Sequence, residues 1–371
     1  MQQRSFGGKL QGCAVKREYE MSDRTGVRFL IYSGLAVLVL LFSCGCSREH
    51  RAVKLYVDAV VLNGMGENRV AVEKLNSAVR IDKRFSPAYS LLGDIYRQVN
   101  DYEKSAVSYE KATVLNNWSF RDYFSLGGVY QAMAKFSQAV KAYSRACELK
   151  PDSAESYINA AKCYYEIKDY NNVLAYGERA EKLDPNASDV QRMLGDVYES
   201  RKNHEQAVAL YKKALETDSN NPAIMTSLAV VYLRTNRCEP AKEMLTSVIQ
   251  IKPDNSAAYQ YLGYCYLRLR EQAIEGHKQE LKADSNSPSI EITIRAHLNE
   301  AIQSYNKAIE TNNKDWEAYR GLGVAYMLRA LDNKDDTLKA KAIEQWRASL
   351  DIKPDQPRRD KLLELMRKYS N

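Results

Sequence analysis

Cysteine, histidine and paired carboxylates carry most protein chemistry, and in this chain they are thinly placed. Cys44 and Cys46 stand one glycine apart at the end of VLVLLFSCGCS, residues 37–47, where they could form a metal or redox site, or be processed. The four histidines, His50, His204, His277 and His297, include no two at ligand spacing on one helix. Cys147, Cys163, Cys238 and Cys265 have no CxxC partner, which removes a zinc site and a thioredoxin-like motif but leaves an isolated disulfide open. The neighbouring carboxylates Glu178 and Glu181, and Asp335 and Asp336, read as charge on solvated faces. Gly127-Gly128 lacks the strand before it that a phosphate-binding loop requires. No catalytic constellation, metal or cofactor is expected from these residues.

The elements that must position any site are visible in the composition. Hydrophobic residues make up 45% of the chain, enough for a folded core. The net charge of +7 is terminal: residues 1–51 carry +4 and 356–371 carry +3, so 52–355 is neutral. A neutral body argues against nucleic acid, whose binding depends on neutralising phosphates. The 26 tyrosines against 7 phenylalanines ask for a repeating cause.

That cause is a 34-residue period. A small residue followed three positions later by Tyr recurs at Gly93/Tyr96, Gly127/Tyr130, Ala161/Tyr164, Gly195/Tyr198, Ala229/Tyr232 and Gly263/Tyr266. Ala139, Tyr143, Ala146 and Pro151 continue the unit that starts before Gly127, and Ala207, Tyr211 and Ala214 do the same after Gly195. Apolar residues within each half fall at helical spacing, so each unit predicts two antiparallel helices. The small residues permit close helix approach, and Tyr130, Tyr143 and their equivalents fill the space between neighbouring units. Pro151, Pro185, Pro253 and Pro354 end second helices. His204 falls at an inter-helix turn, and Cys163 and Cys265 take a slot held elsewhere by Ile95, Val129, Val197 and Val231, where they act as small hydrophobes.

The period and these residues resemble the tetratricopeptide repeat. The unit Tyr123, Leu126-Gly127, Tyr130, Ala139, Tyr143, Ala146, Pro151 matches its pattern throughout. The resemblance implies an all-α, right-handed α-solenoid of eight units over 52–355, preceded by a short linker, 44–51. Ala59, Ala71, Leu75 and Ala78 make a degenerate first unit, and 356–371 forms a capping helix. Two insertions interrupt the register, about 271–297 and 331–337; the first predicts two prolonged helices and is a candidate partner site.

The resemblance also implies that the first helices line a concave groove for a protein or peptide. The residues that would point into it are Phe124, Gln131, Asn159, Lys162, Tyr165, Arg192, Asp196, Arg234, Tyr261, Tyr264 and Arg268, aromatics mixed with polar groups that suit peptide recognition. The alternative for each is a plain solvated position. The Lys/Asn clamp that some relatives close on a terminal carboxylate is not repeated here, since its slots read Ser90, Asp94 and Ser125.

The amino terminus is of another kind. Residues 29–42, FLIYSGLAVLVLLF, follow Arg24 and Arg28 and are short for a membrane span but right for the apolar core of a signal peptide, 1–43. A start at Met21 gives an ordinary signal length and leaves 1–20 as an extension. Leu41-Phe42-Ser43-Cys44 resembles the bacterial lipobox, which implies a lipidated Cys44, with Cys46 the alternative. A plain secretory signal and an uncleaved anchor are the other readings. Gly45, and not Asp, after Cys44 points to the outer membrane by the resemblance. The expectation is a non-enzymatic, membrane-tethered adaptor of the cell envelope, in assembly, pilus or secretion machinery, with a peptidoglycan- or glycan-binding accessory module as the alternative.

Overall fold

The computed structural model describes residues 48–282 and 288–370. Among them are seventeen helices and no strand. The chain parts into two compact units at Asn117/Trp118. The first holds α1 (48–64), α2 (Asn68–Ile81), α3 (Ser86–Gln98) and α4 (Tyr102–Leu115). The second holds α5 (Phe120–Ala132), α6 (Phe136–Leu149), α7 (Ala154–Glu166), α8 (Tyr170–Leu183), α9 (Ser188–Ser200), α10 (His204–Thr217), α11 (Pro222–Arg234) and α12 (Cys238–Ile251). It continues with α13 (Ser256–Lys282), α14 (Pro288–Thr311), α15 (Trp316–Asn333), α16 (Asp336–Ile352) and α17 (Arg359–Ser370). Within this unit each helix packs on the next, and α7, α9, α11, α13 and α15 also touch in succession, the arrangement of an all-α solenoid of tandem helix pairs.

Local signals explain where the helices begin and end. Asp101, Ser119, Ser153, Asp169 and Asn203 each cap a helix by accepting a backbone N–H two or three positions inside it. Helices α6, α8, α12 and α16 each end two residues before Pro151, Pro185, Pro253 and Pro354. The turns inside five of the pairs each take one left-handed residue, Asn100, Ala134, Lys168, Lys202 and Asn236, with φ between 54° and 61°. Helix α1 is already formed at residue 48, ahead of the start at 52 that the repeat register gives, because the polar run Arg48–Arg51 contains nothing that breaks a helix.

The packing turns on the small residue of the first helix. A Cβ placed on Gly127 would lie 2.7 Å from the Tyr143 ring, and one on Gly195 would lie 2.7 Å from Tyr211. The tyrosine therefore packs over the glycine of its own pair. Tyr305 serves two pairs at once, lying against Gly263 on α13 and Gly321 on α15. Tyr109, Tyr143 and Tyr211 are at most 2% exposed, and burial of such a side chain stabilises by roughly 1.5–3 kcal/mol.

The extra residues lengthen helices. α13 and α14 have 27 and 24 residues where the regular helices have 13 or 14, and α15 and α16 have 18 and 17. Buried Arg270 on α13 ties the prolonged elements together through both oxygens of Asp332 on α15, at 3.0 and 2.7 Å. At the end of the unit α17 adds Leu362 to a core of Met327, Ala342, Ile343 and Trp346 and packs Leu365, Met366 and Tyr369 against it.

Candidate functional site

The first helices of the second unit carry the expected groove residues, and their side chains sort into three sets. Phe124 and Gln131, both on α5, are engaged by their own pair. Phe124 lies 5.6 Å from the Tyr143 ring and 5.8 Å from Phe120, and Gln131 Oε1 accepts the Tyr143 hydroxyl at 2.9 Å.

The second set forms a polar ladder across α7, α9, α11 and α13. Lys162 reaches Asp189 at 2.9 Å, and its hydrogen bond holds that carboxyl below its ordinary value. Asp196 is the centre of the ladder. Its Oδ2 accepts the Tyr165 hydroxyl at 2.8 Å and Arg192 Nη1 at 2.9 Å. Its Oδ1 accepts the Tyr211 hydroxyl at 2.5 Å and Ser227 Oγ at 3.5 Å. Four donors fill the lone-pair sites of one carboxylate, so this charge is satisfied inside the protein. Burial, followed by the Asp196 hydrogen bond, pushes the Tyr165 phenol up to about 12. Further along, Arg234 pairs with Glu199, and Arg268 bonds Glu271 at 2.7 Å and Asn236 at 3.0 Å.

The third set is open. Tyr264 on α13 is 44% exposed, Val324 holds the corresponding place on α15 at 37%, and Tyr261 and Asn159 are half-buried. Tyr261 lies within electrostatic reach of Glu317, Arg234 and Glu199. The face carried by these first helices thus passes from a self-paired polar half to an aromatic and apolar half with paired charges beside it. Such a surface can receive an extended segment by stacking and side-chain insertion.

Sequence reasoning missed Asp189, Glu199, Ser227, Asn236 and Tyr211 as parts of this surface. A signal existed for Tyr211. Asp94 and Tyr109, fifteen residues apart, recur 102 residues later as Asp196 and Tyr211, and both hydroxyls donate to the carboxylate at 2.5 Å.

The remaining candidate residues are inert in their surroundings. Cys147, Cys163, Cys238 and Cys265 are free thiols and buried, and burial pushes Cys147, Cys163 and Cys265 up to about 12. His204 is the first residue of α10 and half-buried. Glu181 pairs with Lys213 at 2.6 Å, and Asp335 caps α16. Among the described residues no group of three His, Cys, Asp or Glu side chains could hold a metal ion, and no helix is long and apolar enough to cross a membrane. Cys44, Cys46, the apolar run 29–42, Met21 and the centre of the first insertion, 283–287, lie outside the described residues.

Family models described as tetratricopeptide or TPR repeats match residues 86–117, 124–188 with 173–222, 198–263 and 297–328. No curated protein matches the chain. Among solved structures, the C-terminal part of a TPR repeat-containing protein from Cytophaga hutchinsonii is 17% identical, with a TM-score of 0.53 over 73% of this chain and 98% of that one. A chain of the APC/C hetero-tetramer Cut9-Hcn1 is 15% identical, with a TM-score of 0.50 over 81% of this chain and 52% of that one. YrrB, described as a TPR protein with an unusual peptide-binding site, is 21% identical, with a TM-score of 0.46 over 50% of this chain and 96% of that one. Matched over more than half of its length by models of one and the same repeat, the chain belongs to the tetratricopeptide-repeat family.

Proposed function

We propose that the protein is a non-enzymatic adaptor that holds a segment of another protein against the first helices of its second unit, and that a lipid on Cys44 tethers it to the cell envelope. The observation that carries the binding half is the contrast within one surface. Lys162, Arg192, Asp196 and Arg234 are occupied by partners in the protein, whereas Tyr264 and Val324 stand exposed with Tyr261 beside them. Paired charges hold the helices in register and leave affinity to the aromatic half, where a few residues dominate. The tether rests on the apolar run 29–42 and the Leu41–Cys44 stretch alone. Each buried CH₂ of an acyl chain contributes roughly 0.8 kcal/mol to such an anchor.

Affinity capture from detergent extract tests the adaptor. Protein partners that survive in the wild type and are lost with Tyr264→Ala support it. Retention on peptidoglycan with no protein partner overturns it in favour of a glycan-binding module. Metabolic labelling with a palmitate analogue tests the tether: label that persists in Cys44→Ala moves the site to Cys46, and absence of label in the wild type removes the lipid.

A further inference from the structure

A second binding site follows from comparing two grooves between second helices. In the second unit, Tyr176 of α8 lies across the groove between α6 and α8. Its ring is 5.0 Å from Tyr164 and 5.9 Å from Tyr157, both on α7, and its hydroxyl donates to Ser144 Oγ at 2.9 Å. Arg179 sits over the Tyr157 ring at 5.9 Å. In the first unit, 68 residues earlier, the same positions between α2 and α4 read Asn76, Tyr89, Tyr96, Ser108 and Lys111. Both tyrosines are present, Lys111 sits over Tyr89 at 5.5 Å as Arg179 does over Tyr157, and Asn76 supplies a polar side chain where Ser144 does. The filling ring is replaced, and Lys104, where Asn172 stands in the filled groove, lies over the Tyr96 ring at 5.5 Å. Ser108 stands in the place of Tyr176, and its hydroxyl turns back to the Lys104 carbonyl at 2.7 Å.

The result is a groove of about 340 Å³ lined by Tyr89 and Tyr96 with Lys111 and Lys104 over their rings. Its rim gains a further apolar side chain, Val107, 49% exposed, where Ala175 stands in the filled groove. We propose that this groove receives a tyrosine side chain presented by a partner polypeptide, its ring between Tyr89 and Tyr96 and its hydroxyl on Asn76. The chain's own Tyr176 shows the chemistry: offset aromatic contacts on two sides, a cation over one wall and a hydrogen bond at the tip. Occupancy by the partner's ring would complete in the first unit the packing that Tyr176 completes in the second. The site is separate from the first-helix groove, so its failure leaves the adaptor reading standing.

The test uses p-cresol, the tyrosine side chain as a free molecule, titrated into the full chain and followed through the ring signals of Tyr89 and Tyr96. Saturable binding is expected in the wild type, weakened at least tenfold in Ser108→Tyr, which fills the groove from within. Asn76→Ala should weaken p-cresol by about three- to tenfold, the effect of one hydrogen bond, while leaving toluene unchanged. Tyr176→Ser should open an equivalent groove and add one p-cresol per chain. Unsaturable binding, undiminished binding by a folded Ser108→Tyr chain, or toluene binding as tightly as p-cresol in the wild type overturns the proposal.

Discussion

Gly127 and Gly128 are adjacent in α5, yet the packing gives their replacement by alanine opposite signs. Alanine in a helix interior is favoured over glycine by roughly 0.5–1 kcal/mol through the lower entropy lost on folding. At Gly128 nothing opposes that gain, because a Cβ would meet only the Tyr143 hydroxyl at an ordinary 3.5 Å. At Gly127 the Cβ would fall 2.7 to 2.9 Å from three carbons of the Tyr143 ring. That ring has little freedom to withdraw: Gln131 accepts its hydroxyl and Phe124 meets its edge. Overpacking of this kind costs roughly 1–3 kcal/mol, and a pinned ring belongs in the upper part of the range. Gly127→Ala should therefore lose about 1–2 kcal/mol net, and Gly128→Ala should gain roughly 0.5–1 kcal/mol. Because repeat arrays open locally, hydrogen exchange of the α5 and α6 amides is the suitable readout. Exchange should accelerate by about tenfold in the first variant and slow several-fold in the second, at roughly 1.4 kcal/mol per decade. Equal signs for the two substitutions would show that the ring does not set the spacing of the pair.

Other consequences can be measured in the same way. Ala134 holds a left-handed conformation, φ 54°, so Ala134→Gly should stabilise α5–α6 by roughly 0.5–1 kcal/mol in the same exchange experiment. Asp332→Ala leaves the buried Arg270 guanidinium without its carboxylate; since Asp332 is 42% exposed, the loss in urea unfolding should be about 2–3 kcal/mol, below the 3–5 of a fully buried pair. Burial raises the phenols of Tyr143, Tyr165, Tyr211 and Tyr305 above their ordinary value of 10.0, so their contribution to stability is complete below pH 10 and is lost as pH climbs through the raised values. Phenolate absorbance should accordingly rise with unfolding, and not before it, for these four. Cys163 and Cys265 should resist iodoacetamide at pH 8 in the folded chain and react once it is unfolded, because burial holds both as thiols.

How far the sequence reveals the structure depends on which physical interaction sets each feature. The helix pairs were legible because small residues and tyrosines recur 34 residues apart, and a close approach admits few substitutes: only Gly leaves room for a ring above it, and where Ala161 and Ala229 stand, Gly177 and Leu245 take the ring's place. The turns were legible in place but not in chemistry. Ala134, Lys168 and Lys202 adopt a conformation that glycine or asparagine usually marks, and there the packing of the two helices overrides the local preference. The groove residues were legible as positions, since helical spacing fixes which side chains share a face. Their pairing was not, because the reach from Lys162 to Asp189 or from Arg234 to Glu199 depends on how far neighbouring first helices slide, which no period encodes.

The same repeat that hides pairing exposes exceptions. A regular array supplies its own control at every position, so a difference in one slot can be weighed with its surroundings held nearly constant. Ser108 against Tyr176 is such a difference, with the flanking tyrosines and the cation retained. The same register pairs Ala142 with Tyr123 and Tyr130, and Ser304 with Tyr259 and Tyr266, so Tyr176 is the filled member of the series. Walls retained without a filling ring leave part of their aromatic surface to water beside the Lys104 and Lys111 side chains, at a cost of roughly 25 cal/mol for each Å² left in water. That cost persists in the free protein and is recovered when a ring enters. The groove between α2 and α4 thus combines a penalty in isolation with a defined means of removing it, the thermodynamic condition for a binding site.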